Sequence, residues 1–313
     1  MKKFLLASVL GVSLILLLAA CGDDSNNEGN NDNSGDNNQS ENNSNNGDSA
    51  NSGDDSLLAQ LQEEGKVTIG FANEKPYAYQ EDGELKGAAV DIAAAVFAEL
   101  GIEEMESQLS DFGQLIPGLN AGKFDVVTAG MAINPDRCEQ VDFGEPEMVY
   151  GEGLVVQKGN PLDLHSYADI AESGATVSIM SGATENEYVK SEGVEDSQIQ
   201  AAADIPATFS AVASGRADAT TGTEMTLRMA LETSGDDLEF VENFEQPDIE
   251  GIPSYGAAAF HQDNDELREA YNEKLAELKA DGTVAKLLEQ NGFLNNEVPE
   301  DITTAGVCSG DQY

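Results

Sequence analysis

The chain has 313 residues and carries 15 Lys+Arg against 59 Asp+Glu, a formal charge of −44. A nucleic-acid binder needs a basic stripe to displace counterions from phosphates, and anionic lipid headgroups repel so acidic a body, so both partner classes are excluded and any membrane attachment must be hydrophobic or covalent. With no Trp and only 8 Tyr and 11 Phe, the core must rest on Ala, Val, Leu and Ile, in one large domain or two smaller ones. Carboxylate repulsion is relieved by dissolved salt, which favours a saline habitat over the alternative of a merely acidic tail.

Residues 1–20 have a basic start at Lys2 and Lys3, an apolar run from Phe4 to Leu18 and the small pair Ala19 and Ala20, the pattern of a secretory signal. The run ends in Leu18-Ala19-Ala20-Cys21, which resembles the lipobox of bacterial lipoproteins and implies that Cys21 becomes the lipidated N-terminus. A single-span anchor is the alternative, but the run is shorter than the roughly 20 residues a span needs. Residues 21–55 follow as a lipidated Cys and a tether of Asn, Ser, Gly and Asp, with no Lys or Arg and Ala50 as the one apolar residue after Cys21. Such a segment cannot bury enough surface to offset its chain entropy. As a coil of about 5–6 Å × √n it holds the folded body roughly 30 Å from its anchor.

From residue 56 the pattern turns periodic. Lys66 to Phe71 reads as a strand, Gly87 to Gly101 as a helix ended by Gly, and Phe124 to Gly130 as a strand running into a turn. Strands follow at Leu154 to Gln157, Thr176 to Met180 and Ala217 to Thr221, with helices near Ala183 to Ser191 and Pro206 to Ser214. Asp265 to Lys279 and Val284 to Asn291 read as amphipathic, charge-laced helices. The alternation argues an α/β fold with mostly parallel sheets flanked by helices. Tyr150 to Leu154 and Pro253 to Ala257 are Gly-containing extended pieces that bracket about a hundred residues. If both are hinge crossovers, residues 56–150 and 256–313 form one lobe and 151–255 a second; the alternative is two ordinary loops of a single sheet.

The strings Phe71-Ala72-Asn73-Glu74-Lys75-Pro76-Tyr77, Val90-Asp91-Ile92-Ala93, Phe112 to Leu119, Gly130-Met131 with Pro135-Asp136-Arg137-Cys138, and Gly215-Arg216-Ala217-Asp218-Ala219 resemble family 3 extracellular solute-binding proteins, the capture subunits of ABC importers. The resemblance spans nearly all of residues 66 to 294. It implies a two-lobe, type II periplasmic-binding-protein fold, a small zwitterionic solute, a membrane permease as partner, a monomer, no cofactor, and a place on the outer face of the cell membrane. Within the family, the Ala72-Asn73-Glu74 segment, the Arg137-Cys138 segment and Gly251 to Gly256 look most like ectoine and hydroxyectoine binders.

Arg137 presents a planar fork that suits a carboxylate, and the resemblance gives it the solute carboxylate, helped by the N–H of Gly130 and by Thr184 from the other lobe. Glu74 is expected to face a cyclic amidinium, with Tyr77 and Phe112 as aromatic walls. Without the resemblance, Arg137 reads as a surface cation, Glu74 as a solvated loop carboxylate and Phe112 as core. Two departures stand out. Ala132 lies where these binders carry an aromatic, so the box lacks a wall or borrows Phe71, Tyr150 or Tyr255. Thr223 lies where amino-acid binders carry the Asp that receives the α-ammonium, which argues against a plain α-amino acid.

Rival readings are a polar or cyclic amino acid such as glutamine or proline as solute, and a dehydratase of the same fold. His165 and His261 lie outside every segment above, so no catalytic residue is assigned and the chain is read as a non-enzyme. No cluster has metal-ligand spacing. With Cys21 spent on lipid, Cys138 and Cys308 remain as a single possible disulfide on an exported chain.

Overall fold

The computed structural model describes residues 56–249, 251–294 and 296–312; the signal segment, Cys21 and the tether lie outside them. A first helix, α1 (Leu57–Glu64), is opened by the Ser56 hydroxyl, which accepts from the Ala59 N–H, and closed by Gly65 at φ 67°. The apolar run then forms β1 (Lys66–Phe71). A hairpin of β2 (Tyr79–Glu81) and β3 (Glu84–Lys86) turns on Asp82 and Gly83, both at positive φ, and leads to the Ala-rich α2 (Ala88–Glu99). Next come β4 (Glu104–Leu109), a short turn of 3-10 helix at Phe112–Gln114, α3 (Leu115–Asn120), β5 (Val126–Ala132), α4 (Pro135–Cys138), β6 (Asp142–Phe143) and β7 (Met148–Tyr150).

Gly151 is the single residue between β7 and β8 (Glu152–Gln157), which belongs to a different sheet. The chain then winds through α5 (Tyr167–Ser173), β9 (Val177–Met180), α6 (Glu185–Ser191), β10 (Ile199–Ala202), α7 (Ile205–Ala213), β11 (Ala219–Thr223), α8 (Glu224–Leu231) and β12 (Leu238–Phe240). It returns as β13 (Ser254–Phe260), α9 (Asp265–Ala280), α10 (Thr283–Gln290) and α11 (Thr304–Cys308). The first sheet runs β4-β1-β5-β13-β6, with β7 also on β13, and the second runs β10-β9-β11-β8-β12. The fold is therefore the two-lobe arrangement expected, with the chain crossing between sheets after Tyr150 and again before Ser254.

The expectation of mostly parallel sheets is corrected: both sheets are mixed. The βα units pair parallel, as in β1 with β4 and β5 and β9 with β10 and β11. The strands that follow a crossover, β8 and β13, run antiparallel to their neighbours. A strand that enters a sheet from the other lobe is not delivered by a βα crossover, so the rule that aligns successive strands does not bind it. The strand expected at Ala217–Thr221 lies two residues later, at Ala219–Thr223.

In the first lobe Ile92, Val96 and Phe97 of α2 pack with Tyr271 and Leu275 of α9 and Leu288 of α10 in one core. Fully burying side chains of this size contributes roughly 1.5–3 kcal/mol each. A second apolar cluster is continuous across the two lobes, joining Leu115, Leu119 and Val127 to Val155, Phe209 and Leu227. The lobes are in contact, and the ends of β1, β5, β9 and β11, with the helices that follow them, meet between the two sheets.

A buried polar site between the lobes

Glu74 lies in the loop after β1, where its N–H donates to the Ala78 carbonyl at 2.8 Å and the Ala78 N–H returns to the Glu74 carbonyl at 3.0 Å. That reciprocal pair turns the carboxylate toward the second lobe. It is 9% exposed and accepts from the Thr226 hydroxyl of α8 at 2.7 Å. Burial pushes the Glu74 carboxyl up to about 7, against the opposing effect of the Thr226 bond. Tyr77 is fully buried, and its hydroxyl donates to Thr223 Oγ1 at 2.9 Å. Thr223 in turn donates to Thr226 at 3.1 Å. A chain of donors thus runs from Tyr77 through Thr223 and Thr226 to Glu74, tying the lobes together.

The Tyr77 ring packs against Tyr150 and Phe293 at centroid distances of 5.1 and 5.5 Å. Its remaining side lies on the backbone of Gly130. That residue has φ 62°, and a Cβ there would meet Tyr77 Cγ at 2.5 Å, so only Gly fits.

Arg137 is placed by α4, a four-residue helix held at its start by Pro135 and by Asn134, whose Oδ1 accepts the Arg137 N–H at 2.8 Å. The side chain is 8% exposed. Its guanidinium donates to the Ala132 carbonyl at 2.6 Å and, across the lobes, to the Gly182 carbonyl at 2.9 Å. It lies 5.5 Å from the centroid of Phe112, so that ring faces the arginine. Burial lowers the guanidinium's pKa from its ordinary value, and Tyr188, Glu185, Tyr150 and Glu74 oppose the shift. Thr184 immediately precedes α6, whose Tyr188 hydroxyl donates to the Gly251 carbonyl at 3.1 Å.

The structure therefore gathers Glu74, Tyr77, Phe112, Gly130, Arg137, Thr184 and Thr223 along the interface of the lobes. Thr223 is engaged by Tyr77 and Thr226. Of the three aromatics expected as substitutes at Ala132, Tyr150 has its hydroxyl over Gly256, which pairs with Ala132 across β5 and β13, and it is buried in the core like the other two. Phe71 and Tyr255 are core residues of the first lobe's strands. His165 and His261 are partly exposed and sit beside Asp163 and Asp263.

Two carboxylates of the site were not anticipated. Glu152, at the head of β8, is 1% exposed, and Glu185, in the first turn of α6, is 4% exposed. Burial pushes both carboxyls up, and the neighbouring Glu185 charge raises Glu152 further. Glu152 Oε1 is buried without a hydrogen-bond partner, as is the Tyr150 hydroxyl. In sequence Glu185 is indistinguishable from an acidic residue complementing a helix start. Glu152 carries a weak signal, a charge opening the run Gly153-Leu154-Val155-Val156.

Two clefts border the interface at Glu74 and at Tyr77, and neither is lined by Arg137, Glu152 or Glu185. One of about 440 Å³ is lined by Glu74, Lys75 and Tyr79 from the first lobe and Phe209, Thr226 and Met229 from the second. The other, about 370 Å³, is lined by Tyr77, Tyr150, Thr223, Arg228 and Phe293.

Residues 67–293 match the bacterial extracellular solute-binding proteins, family 3. The chain belongs to this family. It is 39% identical to the probable amino-acid ABC transporter periplasmic-binding protein y4tE of Sinorhizobium fredii, over 80% of this chain and 86% of the relative. Among solved structures it is similar to EhuB in complex with hydroxyectoine, with 31% identity, a TM-score of 0.74, and 80% and 97% of the two chains covered. It is also similar to an ancestral arginine-binding protein bound to glutamine, with 30% identity, a TM-score of 0.65, and 74% and 99% covered. The protein is thus a solute-binding component of an ABC importer, of a family that delivers small solutes to a membrane permease. No helix among the described residues is long and apolar enough to cross a membrane.

Proposed function

We propose that the solute is ectoine or hydroxyectoine, captured between the lobes as they close. The observation that carries this reading is the burial of Arg137 and Glu74 at the lobe interface, 8% and 9% exposed, with Phe112 beside the guanidinium and Tyr77 tied to Glu74 through Thr223 and Thr226. A cyclic zwitterion matches such a pair: its carboxylate takes the remaining guanidinium N–H groups, with Gly130 and Thr184 contributing donors, and its delocalised cation faces Glu74. Tyr77 and Phe112 supply ring faces, and Tyr150 stands in for the aromatic absent at Ala132. The likeness to EhuB with hydroxyectoine supports the same choice.

Calorimetry against ectoine, hydroxyectoine, glutamine and proline tests it. Solute at 100 times its Kd adds about 2.7 kcal/mol of stability to the native state. Arg137→Ala is expected to lose most of that shift and Arg137→Lys to recover only part, because an ammonium cannot reproduce the fork. Binding of glutamine or proline without either ectoine overturns the assignment. That second reading is favoured by the likeness to y4tE and to the glutamine-bound ancestral protein. Against it, the hydroxyl of Thr223 cannot balance a primary ammonium. A dehydratase would need a positioned general acid or base; neither histidine lies in the site, which leaves the buried carboxyls of Glu74, Glu152 and Glu185 as the groups that could serve.

Lipidation of Cys21, attachment to the outer face of the membrane through that anchor alone, and a monomeric state complete the proposal. Diacylation is implied, since one chain anchors only marginally. Release of a Cys21→Ala chain to the medium is the expected outcome, and retention on the membrane would remove the anchor.

A further inference from the structure

Gly151 alone separates β7 of the first sheet from β8 of the second, and the backbone on either side of it is gripped by a side-chain amide. Before it, the Val149 N–H donates to Asn296 Oδ1 at 2.9 Å, and Asn296 Nδ2 donates to the Val149 carbonyl at 2.6 Å. After it, the Glu152 N–H donates to Gln246 Oε1 at 2.8 Å, and Gln246 Nε2 donates to the Glu152 carbonyl at 2.7 Å. In each case one planar amide satisfies both backbone groups of a residue, as a neighbouring strand would. Neither residue has such a strand beside it: β7 pairs with β13 alone, and the ladder of β12 on β8 stops at Val155. Between the clamps, the Gly151 N–H has no partner among the described residues, and its carbonyl accepts from the Glu224 N–H at the start of α8 at 2.9 Å. The cleft of about 370 Å³ is lined here by Val149, Gly151, Glu224 and Asn296, so the crossover borders open space. Gln246 comes from the second crossover, between β12 and β13, and Asn296 from the stretch after α10, beyond the residues 67–293 that match the family.

We propose that Asn296 and Gln246 are positioning residues for solute capture: they hold the chain on both sides of Gly151 in one geometry, with the lobes open or closed, and confine rotation of the lobes to Tyr150 and Gly151. Fixing a residue's backbone costs conformational entropy. The clamps place that cost in folding, so it is not incurred again when a solute draws the lobes together. Because Gln246 belongs to the second crossover and grips the first, the two crossovers move as a unit. Both amides bond backbone groups alone, so they favour closure over every solute equally. The inference rests on capture by lobe closure and not on the identity of the solute.

Calorimetry on the full chain with ectoine, hydroxyectoine, glutamine and proline compares wild type with Asn296→Ala and Gln246→Ala. Each variant is expected to raise Kd about tenfold, the scale of one residue's backbone entropy, and by the same factor for every solute that the wild type binds. An unchanged Kd in both folded variants overturns the inference. So does an altered ratio between solutes, which would put these side chains against the solute itself. Residue-resolved hydrogen exchange on the solute-free wild type needs no variant: the Val149 and Glu152 amides should be protected at least about tenfold more than that of Gly151. Fast exchange at either clamped amide would mean that the clamps release as the lobes part, and the inference falls. A wild type that binds only glutamine or proline sinks the ectoine reading and leaves both of these tests in force.

Discussion

At the scale of single residues, burial governs the acid–base behaviour of the site. Glu74 is pushed up to about 7 by desolvation, and Glu147 likewise to about 7 in the first lobe, where it accepts from Tyr271 at 2.7 Å. A carboxyl whose folded pKa exceeds its unfolded value of about 4.3 binds more protons when folded. Its contribution to stability is full below the unfolded pKa and is lost as pH rises toward 7. Glu152 and Glu185 shift in the same direction. The solute-free chain is therefore expected to melt at a higher temperature near pH 5 than near pH 8, and Glu74→Gln to flatten part of that slope. Scanning calorimetry across this range in constant high salt, which screens the surface charge, is the check; an identical slope in the variant would show that Glu74 ionises normally. The exposed carboxylate of Glu81, held down by hydrogen bonds to Lys75 and Lys86, acts only at lower pH.

At the scale of elements, two contacts set what the lobes can do. Gly182, in the turn before α6, rests on Gly113 of the first lobe. A Cβ at 182 would lie 2.6 Å from Gly113 Cα, and its φ of 84° disfavours any other residue. Gly182→Ala is expected to hold the lobes apart, weakening the solute by at least about tenfold, since the carbonyl that meets Arg137 belongs to this residue. An unchanged Kd would show that closure does not bring these backbones together. The second contact is covalent: Cys138, the last residue of α4, is joined to Cys308 of α11 across 170 residues. The pairing expected from cysteine count is the one observed. In the chain-entropy model a loop of that length contributes at most about 5 kcal/mol. Cys138→Ser with Cys308→Ser should lower the melting temperature by several degrees, and solute affinity should fall as well, because α4 also carries Arg137. An affinity that is unchanged would mean Asn134 and Pro135 hold the arginine unaided.

At the scale of the whole molecule, residues 56–313 carry 13 Lys+Arg against 50 Asp+Glu, so a formal −37 of the chain's −44 sits on the folded body. The ion pairs among the described residues are mostly exposed, and pairs of that kind contribute about 0–1 kcal/mol each. Mutual repulsion therefore outweighs them. The melting temperature is expected to rise between low salt and roughly molar NaCl as the Debye length falls to about 3 Å. A flat or falling curve would place the carboxylates too far apart to matter.

Local chemistry alone made much of this legible. Helix α2 was readable because Ala, Val and Ile recur between two glycines, and β1 because a β-branched run is bounded by turn residues. The disulfide was readable because Cys138 and Cys308 are the two cysteines left once Cys21 is set aside, whereas Arg137 and Glu74 were singled out by the resemblance of their motif strings to the family and not by local chemistry. What stayed hidden depends on neighbours remote in sequence. The polar strand β4 has its side chains largely exposed at the edge of the first sheet, and it forms because β1 offers it a ladder. The antiparallel course of β8 and β13 follows from crossing between lobes. The contact of Tyr150 with Gly256, the engagement of Thr223 by Tyr77, and the burial of Glu152 and Glu185 exist only because strands from two lobes face one another. A carboxylate that reads as solvated in a chain becomes a buried charge once the second lobe removes its water, and that desolvation is a property of the tertiary structure alone.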